Sequence, residues 1–303
     1  MSGSGSLAPP APDAPRHVTT WRELELQVRS RLGEAQEAVW LVQQAAGRTG
    51  GEWQADIDQP APDRCLGFVE QMVRRREAGE PLQYVLGRWG FRHLDLAIDR
   101  RVLIPRPETE QVVEHAIAEL TRLRLATGRP PRVVDLGTGS GAIALSIAVE
   151  VAAAEVWATD ASDGAVAVAR SNIAGTGGMA ATRVRVATGS WYEALPPELA
   201  GRIDLVVSNP PYLAEAELAD LDPAVAAWEP AEALAAGPTG LEAIEVVVGG
   251  APRWLGRPGA LVVELAPPQA EAAVALALES GFDRAEVRPD LSGRPRALVA
   301  SVG

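Results

Sequence analysis

Asn209-Pro210-Pro211-Tyr212 is the stretch whose residue types carry the most specific chemistry in the chain. Two prolines fix the backbone and remove two N–H donors, so nearby carbonyls stay available as acceptors. The Asn209 side-chain oxygen and the Pro210 carbonyl can then accept both N–H groups of a planar nitrogen, as in an amide or an aromatic amine. A nitrogen held that way can be aimed at an electrophile while its lone pair is localised. Tyr212 can stack on the planar group. No strong base is needed beforehand, because alkylation itself acidifies the nitrogen. The bland readings are a Pro-rich turn or a ligand for a Pro-binding module. The apolar run Ile203–Ser208 directly before the tetrapeptide argues against both, because it reads as a buried strand.

A second motif precedes it. Val133-Val134-Asp135-Leu136 runs into Gly137-Thr138-Gly139-Ser140-Gly141, and a helix is expected from Ala142 to Ala148. Glycines at a strand-to-helix turn let the backbone approach a ligand closely. The helix N-terminus favours an anion, which fits the pyrophosphate of a dinucleotide. The same loop can pack against the methionine end of S-adenosylmethionine, so the glycines alone leave both cofactors open. Asp160 ends the next strand, 23 residues after Gly137 (160 − 137), where a carboxylate can accept from both ribose hydroxyls or cap the helix that follows. Trp191 follows the third strand, where it offers a flat face to adenine or fills space under a loop. Hydride transfer has no use for the Asn209–Tyr212 loop. The two motifs together therefore point to S-adenosylmethionine and a methyl transfer to nitrogen.

Composition narrows the substrate. The chain has 303 residues, 47% of them hydrophobic, enough for one large domain and a small one. Its net charge is −12, and every basic residue among the 28 is arginine. That sign disfavours a nucleic-acid substrate and suits a basic protein partner. Cys65 is the single cysteine, so no internal disulfide or Cys-rich metal site is possible, and its apolar neighbours suggest buried packing. His17, His93 and His115 are scattered, which predicts no metal site. Neither a signal peptide nor an 18-residue apolar stretch is found, so no membrane association and a cytoplasmic location are expected.

These motifs need elements to position them. Residues 1–15 read as a disordered tail. From residue 16 to 88 the pattern is that of a small helical domain. Thr20 and Glu23 form a potential capping box, and runs follow at roughly 34–46 and 63–77. Residues 89–107 read as a β-hairpin connector, with Leu94, Leu96 and Ile98 alternating on one strand and Val102–Ile104 as its mate. From 108 to 303 short apolar strands alternate with helices, at 132–136, 155–159, 183–187, 203–208, 260–265, 285–288 and 296–301. That rhythm predicts an α/β fold with a mostly parallel sheet covered on both faces. Ligands in such sheets sit at the carboxyl ends of the strands, where each motif above falls.

Asp135–Gly141, Asp160 and Asn209–Tyr212 resemble the set shared by amino-methyltransferases. Gly79-Glu80-Pro81-Leu82-Gln83-Tyr84 with Gly87, and Val102-Leu103-Ile104-Pro105-Arg106-Pro107-Glu108-Thr109-Glu110, are similar to the release factor glutamine methyltransferases (PrmC/HemK family). The resemblance covers residue 20 to the C-terminus. It implies a Rossmann-like, class I, seven-stranded methyltransferase fold with an N-terminal helical domain that grips the substrate. It implies methylation of the side-chain amide (N5) of the glutamine in the Gly-Gly-Gln motif of peptide chain release factors. Carried over by position, the S-adenosylmethionine residues are Gly137, Thr138, Gly139, Ser140, Gly141, Asp160, Trp191 and Asn209. The substrate residues are Asn209, Pro210, Pro211 and Tyr212, with Asn209, Pro210 and Tyr212 serving catalysis. Ser190 stands where the family usually has an acidic residue, and Ala266 where it usually has glycine. The alternatives are a ribosomal-protein glutamine, a DNA adenine, which would need a basic face and a target-recognition region, a nicotinamide-dependent oxidoreductase, or a fold kept for binding alone. A monomer is expected.

Overall fold

The computed structural model describes residues 18–303, so the expected tail 1–15 and His17 lie outside the described residues. The chain divides into two compact units, Met1–Leu86 and Gly87–Gly303.

The first unit is helical: α1 (Trp21–Leu32), α2 (Ala35–Ala46), α3 (Gly50–Asp56), α4 (Asp63–Glu77) and α5 (Leu82–Leu86). The capping box forms. The Thr20 hydroxyl accepts from the Glu23 amide at 3.3 Å, and the Glu23 carboxylate accepts from the Thr20 amide at 2.8 Å. Such a cap contributes about 1 kcal/mol. Trp21, Leu24 and Val28 of α1 pack with Leu41 and Val42 of α2 and with Val69, Met72 and Val73 of α4. Each buried side chain of this size stabilises the unit by about 1.5–3 kcal/mol before chain entropy is subtracted. Trp53 of α3 meets Trp21 edge-on, with ring centroids 6.1 Å apart. Cys65 is half-buried, and its thiol donates to the Ala45 carbonyl. Glu80, only 2% exposed, accepts from Arg75 at 2.8 and 2.7 Å, and the same guanidinium donates to the carbonyls of Tyr84 and Val85. That clamp accounts physically for the Gly79–Tyr84 segment, whose single buried acid fixes the chain around α5.

The second unit opens with a hairpin of β1 (Arg88–Phe91) and β2 (Leu94–Ala97), which leads through irregular chain into α6 (Pro107–Thr127). Val102–Ile104 is therefore not the partner of β2. It is an irregular segment whose Val102 and Ile104 point inward, and that mimics strand alternation. The true turn, Arg92-His93, carries no glycine or asparagine. Arg92 adopts φ +50 and is held by Glu110, which accepts from its amide, and by Glu150, which takes its guanidinium at 2.6 and 2.7 Å.

Next come β3 (Arg132–Leu136), α7 (Ala142–Glu150), β4 (Glu155–Asp160), α8 (Asp163–Thr176), α9 (Gly178–Ala181), β5 (Val184–Thr188) and β6 (Ile203–Ser208). The chain continues through β7 (Leu213–Ala214), α10 (Pro223–Trp228), β8 (Ala235–Gly237), α11 (Glu242–Trp254), β9 (Leu255–Glu264), α12 (Ala270–Glu279), β10 (Arg284–Pro289) and β11 (Pro295–Val302). Seven of these strands form one sheet in the order β10-β11-β9-β6-β3-β4-β5. Neighbours from β9 to β5 run parallel, and β11 is antiparallel to both of its neighbours. This is the mostly parallel, Rossmann-like class I methyltransferase sheet expected from the sequence. β3 and β6 are buried almost throughout because helices cover both faces, which is why they read as mostly apolar runs, each broken by one buried aspartate, Asp135 and Asp204. The chain leaves β3 toward β4 and β5, then returns to β6 on the other side. The carboxyl ends of β3 and β6 thus flank the switch point where ligands bind in open α/β sheets. Among the described residues no helix is long and apolar enough to cross a membrane.

Candidate active site

The glycine loop leaves β3 with Gly137, Gly139 and Gly141 all at positive φ (+70, +55 and +84), a conformation side chains with a Cβ rarely adopt. Four of its five amides are spent inside the protein. Those of Gly137 and Thr138 both donate to the Thr159 carbonyl at 2.9 Å, that of Gly139 to Asp160 Oδ2 at 2.8 Å, and that of Gly141 to the Thr138 carbonyl at 2.8 Å. Asp135, fully buried beneath the loop, accepts from the Thr138 hydroxyl and the Ala144 amide. Burial pushes its carboxyl up to about 7 against those two bonds, and its Oδ1 has no hydrogen-bond partner among the described residues. Asn172 of α8 ties the Ser140 carbonyl to the end of β2, donating to Ser140 and Ala97 and accepting from the Ala97 amide.

Asp160 accepts from Gly139 and, through Oδ1, from the Ser162 amide at 2.9 Å. Helix α8 is capped by Ser162, not by Asp160, so the capping alternative does not claim this carboxylate. Burial raises its pKa, the two backbone bonds oppose that shift, and the charge of Glu232 adds to it. Trp191 sits at φ +47 with its carbonyl accepting from the Thr159 hydroxyl, and its ring edge stands 3.7 Å from where a Cβ on Gly137 would lie.

At the end of β6 the Ser208 hydroxyl donates to the Leu136 carbonyl at 2.7 Å, locking the two strand ends together. Asn209 follows. Its Nδ2 donates to the Thr109 hydroxyl at 3.2 Å, and Thr109 in turn donates to Glu264 Oε2 at 2.7 Å. Pro210 is buried and Tyr212 half-buried. The Tyr212 carbonyl is held by Gln269 Nε2 at 2.8 Å, and burial pushes its phenol up to about 12, with the Glu264 charge adding to the shift.

One cavity gathers Gly137, Thr138, Gly139, Ser140, Asp160, Trp191, Asn209 and Pro211. Gly141, Pro210 and Tyr212 do not line it. Gly141 instead packs on Ala169 of α8, 3.5 Å from its would-be Cβ. The wall also contains Arg101, Val102, Leu103, Pro105 and Thr109 from the segment before and into α6, with Pro230, Glu232 and Ala233 after α10. Sequence reasoning gave these residues no chemistry. Val102–Glu110 was visible only as a resemblance, and nothing marked Glu232.

The wall chemistry discriminates between cofactors. A pyrophosphate needs the loop amides as donors, and here those of Gly137, Thr138, Gly139 and Gly141 are already paired. The lining carboxylates Asp160 and Glu232 outnumber the lining guanidinium of Arg101, which is itself held by Asp99 at 2.8 and 2.6 Å. Such a wall fits S-adenosylmethionine, a ligand with a sulfonium and an ammonium, better than a diphosphate. No cluster of three or more potential metal ligands occurs among the described residues.

Comparison with known proteins agrees with this chemistry. Residues 119–226 match the family model "Methyltransferase small domain". A release factor glutamine methyltransferase of Bordetella pertussis is 43% identical over 263 residues, covering 86% of this chain and 92% of that protein. Others, from Cereibacter sphaeroides and Geobacter sulfurreducens, are 38% and 34% identical, covering 80% and 95% of this chain. The chain belongs to the release factor glutamine methyltransferase family. It is an S-adenosylmethionine-dependent methyltransferase, which removes the oxidoreductase alternative. Residues 17–87 match the "PrmC N-terminal domain", so both units of this family member are recognised. Among solved structures, the hMettl16 catalytic domain in complex with an RNA hairpin superposes with a TM-score of 0.52 at 16% identity, over 79% of this chain and 81% of that one. At that identity the likeness shows the methyltransferase fold alone.

Proposed function

We propose that the enzyme methylates the N5 side-chain amide of the glutamine in the Gly-Gly-Gln motif of peptide chain release factors. One observation carries the reading. Asn209 opens on the same cavity as Asp160 and the glycine loop, with its amide nitrogen turned toward Thr109 and its oxygen left to accept a substrate N–H. The Pro210 carbonyl, between the lining residues Asn209 and Pro211 on a backbone without N–H groups at 210 and 211, would be the second acceptor. Bound S-adenosylmethionine supplies an electrophilic methyl on sulfur. Asp160 would hold the ribose hydroxyls with the lone pairs its backbone bonds leave, and Trp191 would cover the adenine. Asn209 and Pro210 would fix both N–H groups of the amide, which aims the nitrogen and makes its lone pair more available. Tyr212, set back from the cavity, shapes the loop and leaves Pro211 as the lining residue beside the amide. The relatives named above are called release factor glutamine methyltransferases, which supports the substrate class. The net charge of −12 supports a basic protein surface over a nucleic acid.

The test is peptide-resolved mass spectrometry of a release factor incubated with enzyme and S-adenosylmethionine. One added methyl on the Gly-Gly-Gln glutamine is the expected result. An unmodified release factor, with methylation of a ribosomal-protein glutamine in a parallel reaction, would overturn the substrate assignment and keep the chemistry.

A further inference from the structure

A side-chain amide has two ends of almost equal size and opposite hydrogen-bonding character. If Asn209 turned over, it would offer N–H groups to the N–H groups of its substrate, and the site would repel the nitrogen it is built to hold. Something must therefore fix which end faces the cavity.

We propose that Thr109 and Glu264 are positioning residues that hold the Asn209 side chain with its oxygen toward the substrate and so select a nitrogen nucleophile. The chain of bonds has one direction. Thr109 has a single hydroxyl proton, and it goes to Glu264 Oε2 at 2.7 Å. Only lone pairs then remain on Thr109 for Asn209, and Nδ2 donates to them at 3.2 Å. Three elements meet here: the first turn of α6 with Thr109, the end of β9 with Glu264, and the loop after β6 with Asn209. Register places Ser208 beside Val263, so Asn209 and Glu264 continue adjacent strands. Thr109 is 4% exposed and Glu264 1%, which limits competition from water and strengthens the bond between them. Burying a carboxyl at this point costs free energy that a neutral aliphatic residue would avoid. Its use is to accept the threonine proton.

The assignment rests on the reading of Asn209 as the receiver of the substrate nitrogen, and two measurements separate the two claims. The first follows methyl transfer by wild type, Thr109→Val and Thr109→Ser. The valine variant keeps the shape and loses the hydroxyl, and its kcat should fall roughly tenfold to a hundredfold, the scale for a misplaced reacting group. KM for S-adenosylmethionine should change less than kcat, because the variant keeps the shape of the wall at Thr109 and removes no bond assigned to the cofactor. Thr109→Ser should recover most of kcat. The second needs no substrate. The Asn209 side-chain NH2 resonances, assigned by their loss in Asn209→Ala, should exchange with solvent faster in Thr109→Val than in wild type or Thr109→Ser. Unchanged exchange in Thr109→Val, or a kcat equal to wild type, overturns the proposal. A wild-type enzyme that methylates no glutamine would overturn the functional reading instead, and the exchange measurement would still decide the positioning claim.

Discussion

In the proposed role, Asn209 turns its oxygen to the cavity, and one hydroxyl and one buried acid hold its amide nitrogen away from it. Glu264 shows the cost. Burial pushes its carboxyl up to about 7 from an ordinary 4.5, the Thr109 bond and the guanidinium groups of Arg296 and Arg106 pull it back, and Glu108 adds to the rise. A raised folded pKa means the unfolded chain loses its proton first. This group's contribution to stability is therefore fully present below about pH 4.5 and is lost as pH rises to about 7. Glu264→Gln cannot ionise. Its urea midpoint relative to wild type should rise steadily across that window and level off above it, and a pH-independent difference would contradict the raised pKa. The contiguous Asn209–Tyr212 motif was legible in the sequence, because a strand end and its following loop are read together. Thr109 and Glu264 were not. Their link spans 155 positions, and the bond from Thr109 to Asn209 spans 100, so no local pattern could join them.

At the scale of elements, the glycine loop is held from below and from the side. Asp135 and Thr159 bind it to its own strand and the next one, and Asp160 takes the Gly139 amide. Asp160→Ala removes an acceptor from two amides as well as the ribose contact assigned to it. Calorimetry should show weaker S-adenosylmethionine binding, by about 1.5–3 kcal/mol if a charged hydrogen bond is lost. Equal affinity would refute the ribose contact. The central strands of the sheet were legible because buried parallel strands are mostly apolar on both faces. The hairpin partner was misread because Arg92 adopts positive φ with the support of Glu110 and Glu150, and no sequence signal marks an arginine for that turn. Helix α3 escaped because it begins at Gly50-Gly51, which reads as a break. The wall contributed by 101–105 and 230–233 escaped because irregular chain and a single 3-10 turn at Ala231–Ala233 carry no periodicity.

For the molecule as a whole, a net charge of −12 would favour a basic partner surface. If the release factor offers a basic surface, KM for it should rise several-fold between low and physiological salt, while S-adenosylmethionine affinity stays nearly constant. Salt-independent KM would remove charge from the recognition. The central claim, that the Asn209 loop presents an amide nitrogen to the methyl of S-adenosylmethionine, is tested most directly by the fate of a labelled methyl. Release factor is labelled in a single turnover by wild type and by Asn209→Ala at saturating cofactor, then hydrolysed in base. All the label should appear as methylamine, and the rate should be lower by about 10² or more in the variant, the usual loss when a group aimed at the reacting atoms is removed. Label released as methanol, which marks a carboxylate ester, or equal rates for the two enzymes, would contradict it.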